Sequence, residues 1–167
     1  MIRGRVWKYG DHINTDLIIP GRYLDNYDLK HLASHAMEDV DVHFASEVHP
    51  GDIIIAGRNF GCGSSREQAP LALKAAGVAA VVVGSAARIF YRNAINVGLP
   101  IVICPEAGRM FEPGDTAEID LAGGTLRNTR TGEGARFSPP PAFLLRILED
   151  GGLVPHLRNR MEAGPRQ

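Results

Sequence analysis

Ser64, Ser65 and Arg66 stand side by side in the stretch Gly57-Arg-Asn-Phe-Gly-Cys-Gly-Ser-Ser-Arg-Glu-Gln-Ala-Pro70. Two hydroxyls beside a guanidinium are suited to gripping a carboxylate or a phosphate. Gly57, Gly61 and Gly63 let the backbone approach a ligand and take up conformations closed to other residues. The stretch follows a strand-like run, Asp52-Ile-Ile-Ile-Ala56, and precedes a helix-like run, Leu71-Ala-Leu-Lys-Ala-Ala76. The three polar residues therefore stand at the mouth of a helix N-terminus, where free N–H groups and the helix dipole favour anions. A serine hydroxyl does not ionise near neutral pH by itself. It becomes a base only if Arg66, backbone N–H groups and the dipole stabilise its alkoxide. Position 68 is Gln, so this segment offers no histidine and favours charge stabilisation over a triad.

The structural alternative is a capping box, because Ser64 and Glu67 have S-x-x-E spacing. Pro70 argues against it: with Ser64 as N-cap, Pro70 would fall in the second turn, lacking a needed N–H and clashing with a carbonyl. The helix is better started around Glu67 or later, which leaves the Ser-Ser-Arg set in the loop ahead of it. Familiar phosphate loops do not fit. Gly61-x-Gly63 lacks the third glycine of the dinucleotide fingerprint, and no G-K-[ST] follows. There is no G-x-S-x-G elbow.

Other polar groups have ordinary readings beside functional ones. Cys62 could be a nucleophile or metal ligand, but a cysteine in such a place is more commonly a small packed residue. Asp11-x-x-x-Thr15-Asp16 sits beside an apolar run, Leu17-Ile-Ile19, that reads as a strand, with Thr15 or Asp16 as a turn or cap residue. Arg88, Arg92 and Asn96 share one helix face at i, i+4 and i+8, the pattern of a solvated polar face. Asn93 and Asn96, near that helix's end, could also brace a site. His31 and His35 are one turn apart, but no carboxylate or cysteine completes a metal set, and they read as surface residues.

The elements that must hold these residues are short. Arg3–Tyr9 suits a strand closed by Gly10-Asp11, and Asp28 suits the N-cap of a helix over 29–37. From 52 the order is strand 52–56, helix 69–76, strand 78–83, helix 86–96 and strand 99–104, with Gly77 and Gly98 at helix C-caps. This alternation predicts parallel crossovers. Past Pro105 an alternating run, 116–121, turns at Gly123-Gly124 and pairs back through 125–129. A last helix over 142–149 closes at Gly151-Gly152. The predicted class is mixed α/β: a parallel α/β layer with additional strands, not a clean doubly wound domain.

At 167 residues, the chain fits one domain over 1–167 with a core that needs no staples, and about 161–167 as a frayed tail. A formal charge of −1, with no basic tract, gives nucleic acid no electrostatic footprint. The apolar runs are too short to span a bilayer, and the N-terminus has no apolar signal core. The two cysteines have no paired spacing, which with the missing signal core gives a cytoplasmic expectation.

Asn59-Phe-Gly-Cys-Gly-Ser-Ser-Arg-Glu-Gln-Ala-Pro70 resembles the signature of the aconitase swivel domain. More narrowly, the chain resembles the free-standing small subunits of 3-isopropylmalate dehydratase and homoaconitase. Gly10-Asp-His-Ile-Asn-Thr-Asp-Leu-Ile-Ile-Pro-Gly-Arg-Tyr-Leu24 is similar to the N-terminal motif. Ala87-Arg-Ile-Phe-Tyr-Arg-Asn-Ala-Ile-Asn-Val-Gly-Leu-Pro100 is similar to a third block, and Gly151-Gly-Leu-Val-Pro-His-Leu157 to a C-terminal one. The blocks occur in order across nearly the whole chain.

The resemblance implies a β/β/α swivelling domain that closes over a large subunit bearing a [4Fe-4S] cluster, as a heterodimer or heterotetramer. The chain itself would bind no metal, since two lone cysteines cannot hold a Cys₄ cluster. The pair would isomerise a small hydroxy acid by dehydration and rehydration through an alkene, in the manner of leucine synthesis. By the same resemblance Ser64 would be the base, Ser65 and Arg66 would hold a substrate carboxylate, and Asp16 would support an acid group of the large subunit. The segment Arg22, Leu24, Asp25 and Tyr27 would read the substrate's variable arm. There Asp25-Asn26 matches neither the apolar pattern of isopropylmalate enzymes nor the Arg-containing pattern of homoaconitases. Asp25 would repel a third carboxylate, favouring isopropylmalate, with dimethylmalate or citramalate as related arms. A non-catalytic carboxylate-binding module is the alternative from another class. Without its partner the chain would expose its docking face and could self-associate, with 22–28 and 58–66 as its mobile loops.

Overall fold

Ile53 to Ala56 are buried at every position, as are Ala80 to Val83. Runs without polar alternation belong in strands covered on both faces. The computed structural model describes residues 1–164 and bears this out. Its strands are β1 (Ile2–Lys8), β2 (Ile53–Ala56), β3 (Ala80–Val83), β4 (Ile101–Ile103), β5 (Thr116–Asp120), β6 (Thr125–Asn128) and β7 (Gly134–Arg136). They form one seven-stranded sheet in the order β4-β3-β2-β1-β5-β6-β7. The pairs from β1 to β4 are parallel, and those from β1 through β5 and β6 to β7 are antiparallel.

The helices are α1 (Thr15–Ile18), α2 (Leu29–Ser34), α3 (Phe44–Glu47), α4 (Gln68–Ala75), α5 (Arg88–Val97), α6 (Ala107–Met110), α7 (Ala142–Glu149) and α8 (Leu153–Glu162). Strand side chains alternate between faces, which splits the core in two. Ile54, Val81, Val83 and Ile101 pack beneath α1, α2, α4 and α5, with Ile18, Leu32, Leu73 and Phe90. Ile53, Ile55, Val82 and Val102 face Met110 and Phe111 together with Ala117, Ile119 and Leu126 of the antiparallel half. The sheet thus curls so that its antiparallel strands cover the second face of its parallel ones.

The structure departs from the sequence expectations in several places. Leu17-Ile-Ile19 is not a strand: Asn14 caps a single helical turn, its Oδ1 accepting the Leu17 amide at 2.9 Å. The helix begun by Asp28 stops at Ser34, short of Met37. Met37 has φ 60 and donates its amide to Ile18 O at 2.8 Å, so a contact with the core overrides helical continuation. Residues 44–47 form a helical turn, and β7 and α8 have no counterpart among the expected elements. α8 takes in Met161 and Glu162 of the expected frayed tail, and residues 165–167 lie outside the described residues. His31 and His35 are half-buried, not surface residues: Tyr23 stacks on His35 at 3.7 Å between ring centroids. Gly98 does cap α5, with φ 82.

Candidate active site

The parallel order from β1 to β4 brings three chain segments together at one end. Residues 10–16 leave β1, residues 57–66 leave β2, and residues 84–88 leave β3. The carboxyl ends of parallel strands are where open α/β sheets bind ligands. The middle segment is laced to both neighbours by backbone bonds. The Gly57 amide donates to Gly10 O, the His12 amide to Arg58 O, the Gly61 amide to Ile13 O and the Thr15 amide to Cys62 O, at 2.8–3.1 Å. On its other side the Phe60 amide donates to Ser85 O, and the Ala87 amide to Phe60 O.

Gly61 is the position where this lacing needs glycine. Its φ is +77, and a Cβ there would collide with the Phe90 side chain. Phe90 is buried and meets Phe60 edge-on at 5.3 Å, so the loop rests on the aromatic core of α5. α4 starts at Gln68 with Glu67 as an uncapped first boundary, and Pro70 falls in its first turn. The capping-box reading of Ser64 is thereby replaced by the loop reading.

Ser64 and Ser65 are exposed, and neither hydroxyl makes a hydrogen bond among the described residues. Arg66 is the ordered member of the set. Its Nη1 donates to Asp16 Oδ1 at 3.0 Å and to Ile19 O at 3.3 Å. The same carboxylate oxygen accepts the Gly21 amide at 2.9 Å. The hydrogen bond from Arg66 and then that from the Gly21 amide hold the Asp16 carboxyl below its ordinary range. Asp16 therefore stays ionised at neutral pH and fixes the azimuth of the guanidinium.

A cavity of about 320 Å³ opens beside this loop, walled by Thr15, Ser64, Ser65, Arg66, Arg88 and Ile89. Helical spacing puts Arg88 on a solvated face with Arg92 and Asn96. Of these three only Arg88, the first residue of α5, reaches the cavity. The signal available in the sequence is a cation opening a helix after Ala87, against the usual capping preference.

The remaining expected site residues lie elsewhere. Arg22 pairs with Asp39 at 2.9 Å and Glu38 at 3.2 Å, and lies over the Tyr23 ring. Leu24 is half-buried against the core, while Asp25 and Tyr27 are exposed. None of the four reaches the cavity wall in this conformation. Gly21, which directly precedes this segment in the chain, donates its amide to Asp16 Oδ1 at 2.9 Å.

An iron–sulfur cluster would need several thiolates within reach. Cys62 lies in the site loop, whereas Cys104 is buried in the opposite core layer, where burial pushes its thiol up. Among the described residues no three His, Cys, Asp or Glu side chains gather as a metal site. The donors of this chain do not fit such a cluster.

Residues 11–106 match the Aconitase C-terminal domain family. The chain is 56% identical to the "3-isopropylmalate dehydratase small subunit 1" of Methanopyrus kandleri over 166 residues, 99% of this chain and 96% of that one. It is 55% identical to the "Methanogen homoaconitase small subunit" of Methanothermobacter thermautotrophicus, over 98% of this chain and 95% of that one. Its fold is similar to the crystal structure of a 3-isopropylmalate dehydratase from Methanocaldococcus jannaschii, with a TM-score of 0.91 and 46% identity. That match covers 97% of this chain and 96% of that one.

Proposed function

The chain belongs to the Aconitase C-terminal domain family, and from that premise we propose that it is the small subunit of a 3-isopropylmalate dehydratase. This hydro-lyase converts 2-isopropylmalate to 3-isopropylmalate through isopropylmaleate, a step in making leucine, and works together with a large subunit. The observation that carries the reading is the pairing of uncommitted Ser64 and Ser65 hydroxyls with a guanidinium already aimed by Asp16, around one cavity.

The substrate proton lies on a carbon next to a carboxylate. Ser64 Oγ, as the alkoxide that its donors would stabilise, takes that proton. The hydroxyl leaves the neighbouring carbon as water, protonated by an acid group of the large subunit that Asp16 would support, to give the alkene. Rehydration reverses this at the exchanged carbons: water adds as hydroxyl, leaving its other proton on that acid group, and the Ser64 hydroxyl returns its proton to the neighbouring carbon. Ser65 and Arg66 hold a substrate carboxylate, so the charge that develops on deprotonation meets donors already in position. The chain's own donors do not fit a cluster, and we propose that the [4Fe-4S] group belongs to the large subunit, where it would supply Lewis acidity. The minimal active unit is then a cytoplasmic heterodimer. Among the described residues no helix is long and apolar enough to cross a membrane.

Asp25 supports a dicarboxylate over a tricarboxylate. It is exposed at the turn that follows Arg22–Leu24, and a third carboxylate would meet its charge once the segment 22–28 closes over bound substrate. Leu24 and Tyr27 would border the branched alkyl arm once the segment 22–28 closes over bound substrate. The test is turnover by the complex co-purified anaerobically with its large subunit, comparing 2- and 3-isopropylmalate with homocitrate, citramalate and dimethylmalate. Activity on isopropylmalate alone supports the assignment. Activity on homocitrate with isopropylmalate silent would assign the chain to the homoaconitase branch.

A further inference from the structure

We infer that Arg88 is a second cationic anchor for the substrate dicarboxylate, facing the cavity that Ser64, Ser65 and Arg66 share. The inference rests on the functional reading above and assigns a residue that reading leaves unused.

The charges around the cavity motivate it. Two guanidinium groups, Arg66 and Arg88, stand in its wall, and no Asp or Glu does. The two are not equivalent. Arg66 gives its Nη1 to Asp16 and to Ile19 O, so much of its charge is answered within the protein. Arg88 makes no ion pair and no side-chain hydrogen bond among the described residues. A substrate carrying two carboxylates thus meets one neutralised cation and one free one. Arg66 alone cannot balance the second carboxylate. Arg presents a planar fork of donors that matches a carboxylate in two-point contact.

The local setting of Arg88 adds a second observation. Ala87 is the N-cap of α5 and offers no side-chain hydrogen bond, and the first turn holds no acidic residue. A cation at this end opposes the helix dipole. The missing cap and missing first-turn acid are shared by α4, α7 and α8, but α5 alone among these opens on a cation, and a bound carboxylate would answer that charge. Arg92, one turn further along the same helix, is exposed and stands outside the cavity, which makes it a matched control.

The experiment uses the assembled complex and four forms: wild type, Arg88→Gln, Arg88→Lys and Arg92→Gln. Complex formation is checked by co-elution. Binding of isopropylsuccinate, which has both carboxylates and no leaving hydroxyl, is measured by calorimetry, and KM and kcat are measured with isopropylmalate. Loss of one charge-assisted anchor is expected to weaken binding and raise KM about 10–100-fold, with a much smaller change in kcat. Arg88→Lys should recover part of the loss, and Arg92→Gln should match wild type. Unchanged binding and KM in Arg88→Gln overturn the inference while leaving the functional reading in place. Failure of Arg88→Gln to co-elute also overturns it and assigns Arg88 to the subunit interface. A wild-type complex with no turnover on isopropylmalate overturns the functional reading instead, and the calorimetric comparison still decides whether Arg88 binds a dicarboxylate.

Discussion

Asp16 Oδ1 lies 3.0 Å from Nη1 of Arg66, joining the segment after β1 to the loop after β2 across fifty residues of chain. The Arg66 side chain is only about one-fifth exposed, whereas that of Asp16 is mostly exposed. Solvent screening makes such a pair a modest contributor to stability. Its consequence is geometric: the guanidinium is held in one orientation, and on the proposed reading that would lower the entropy lost when a substrate carboxylate binds it.

The pair has a pH signature. The Arg66 and Gly21 hydrogen bonds depress the Asp16 carboxyl below its ordinary 3.8. A carboxyl depressed on folding contributes its share above the unfolded value, and that share is lost as pH falls through the folded value. The Asp16 side-chain carbon should therefore titrate by NMR below pH 3.8, and Arg66→Gln should move the midpoint upward. An unchanged midpoint in that variant contradicts the pairing. In the complex, Asp16→Asn should raise KM several-fold, because Arg66 loses its fixed azimuth.

Gly61→Ala should loosen the site and the core together. Left-handed backbone costs a residue with a Cβ about 1–3 kcal/mol, and here the added methyl also meets the Phe90 ring. The midpoint of urea unfolding should fall by an amount that reflects at least that cost. Gly132→Ala, also at positive φ but with open space around the position, should show the backbone cost alone. Equal losses in the two variants would remove the contact with Phe90 from the account.

Asp25 should govern the choice of substrate arm. Asp25→Val is expected to leave isopropylmalate turnover within about tenfold of wild type, the low end of what a single pocket contact controls. Asp25→Arg should raise kcat/KM for homocitrate relative to isopropylmalate. An unchanged ratio in Asp25→Arg would remove this loop from the specificity of the enzyme.

The parallel layer was legible because β2 and β3 are apolar at every position and their connections are short. The position of Pro70 correctly moved the start of α4 past Ser64 and left the Ser-Ser-Arg set in a loop. Leu17-Ile-Ile19 misled for a physical reason: three consecutive apolar residues suit either a buried strand or a buried turn, and the Asn14 cap decided it. Met37 turns the chain away from helix through its bond to Ile18 O. That contact joins residues distant in sequence and forms only with the core, so no local pattern announces it. Arg88 escaped for a similar reason. Its i, i+4, i+8 spacing with Arg92 and Asn96 describes the helix face, whereas its place beside Ser64 depends on how β3 delivers α5 next to the loop after β2.

Turnover by the anaerobic complex carrying Ser64→Ala, with subunit association checked by co-elution, tests Ser64 as the base directly. If Ser64 moves the proton, association is retained and kcat on isopropylmalate falls by about 10²–10⁴-fold, the range contributed by a positioned acid–base group. An associated Ser64→Ala complex that turns over at the wild-type rate would rule out Ser64 as the base.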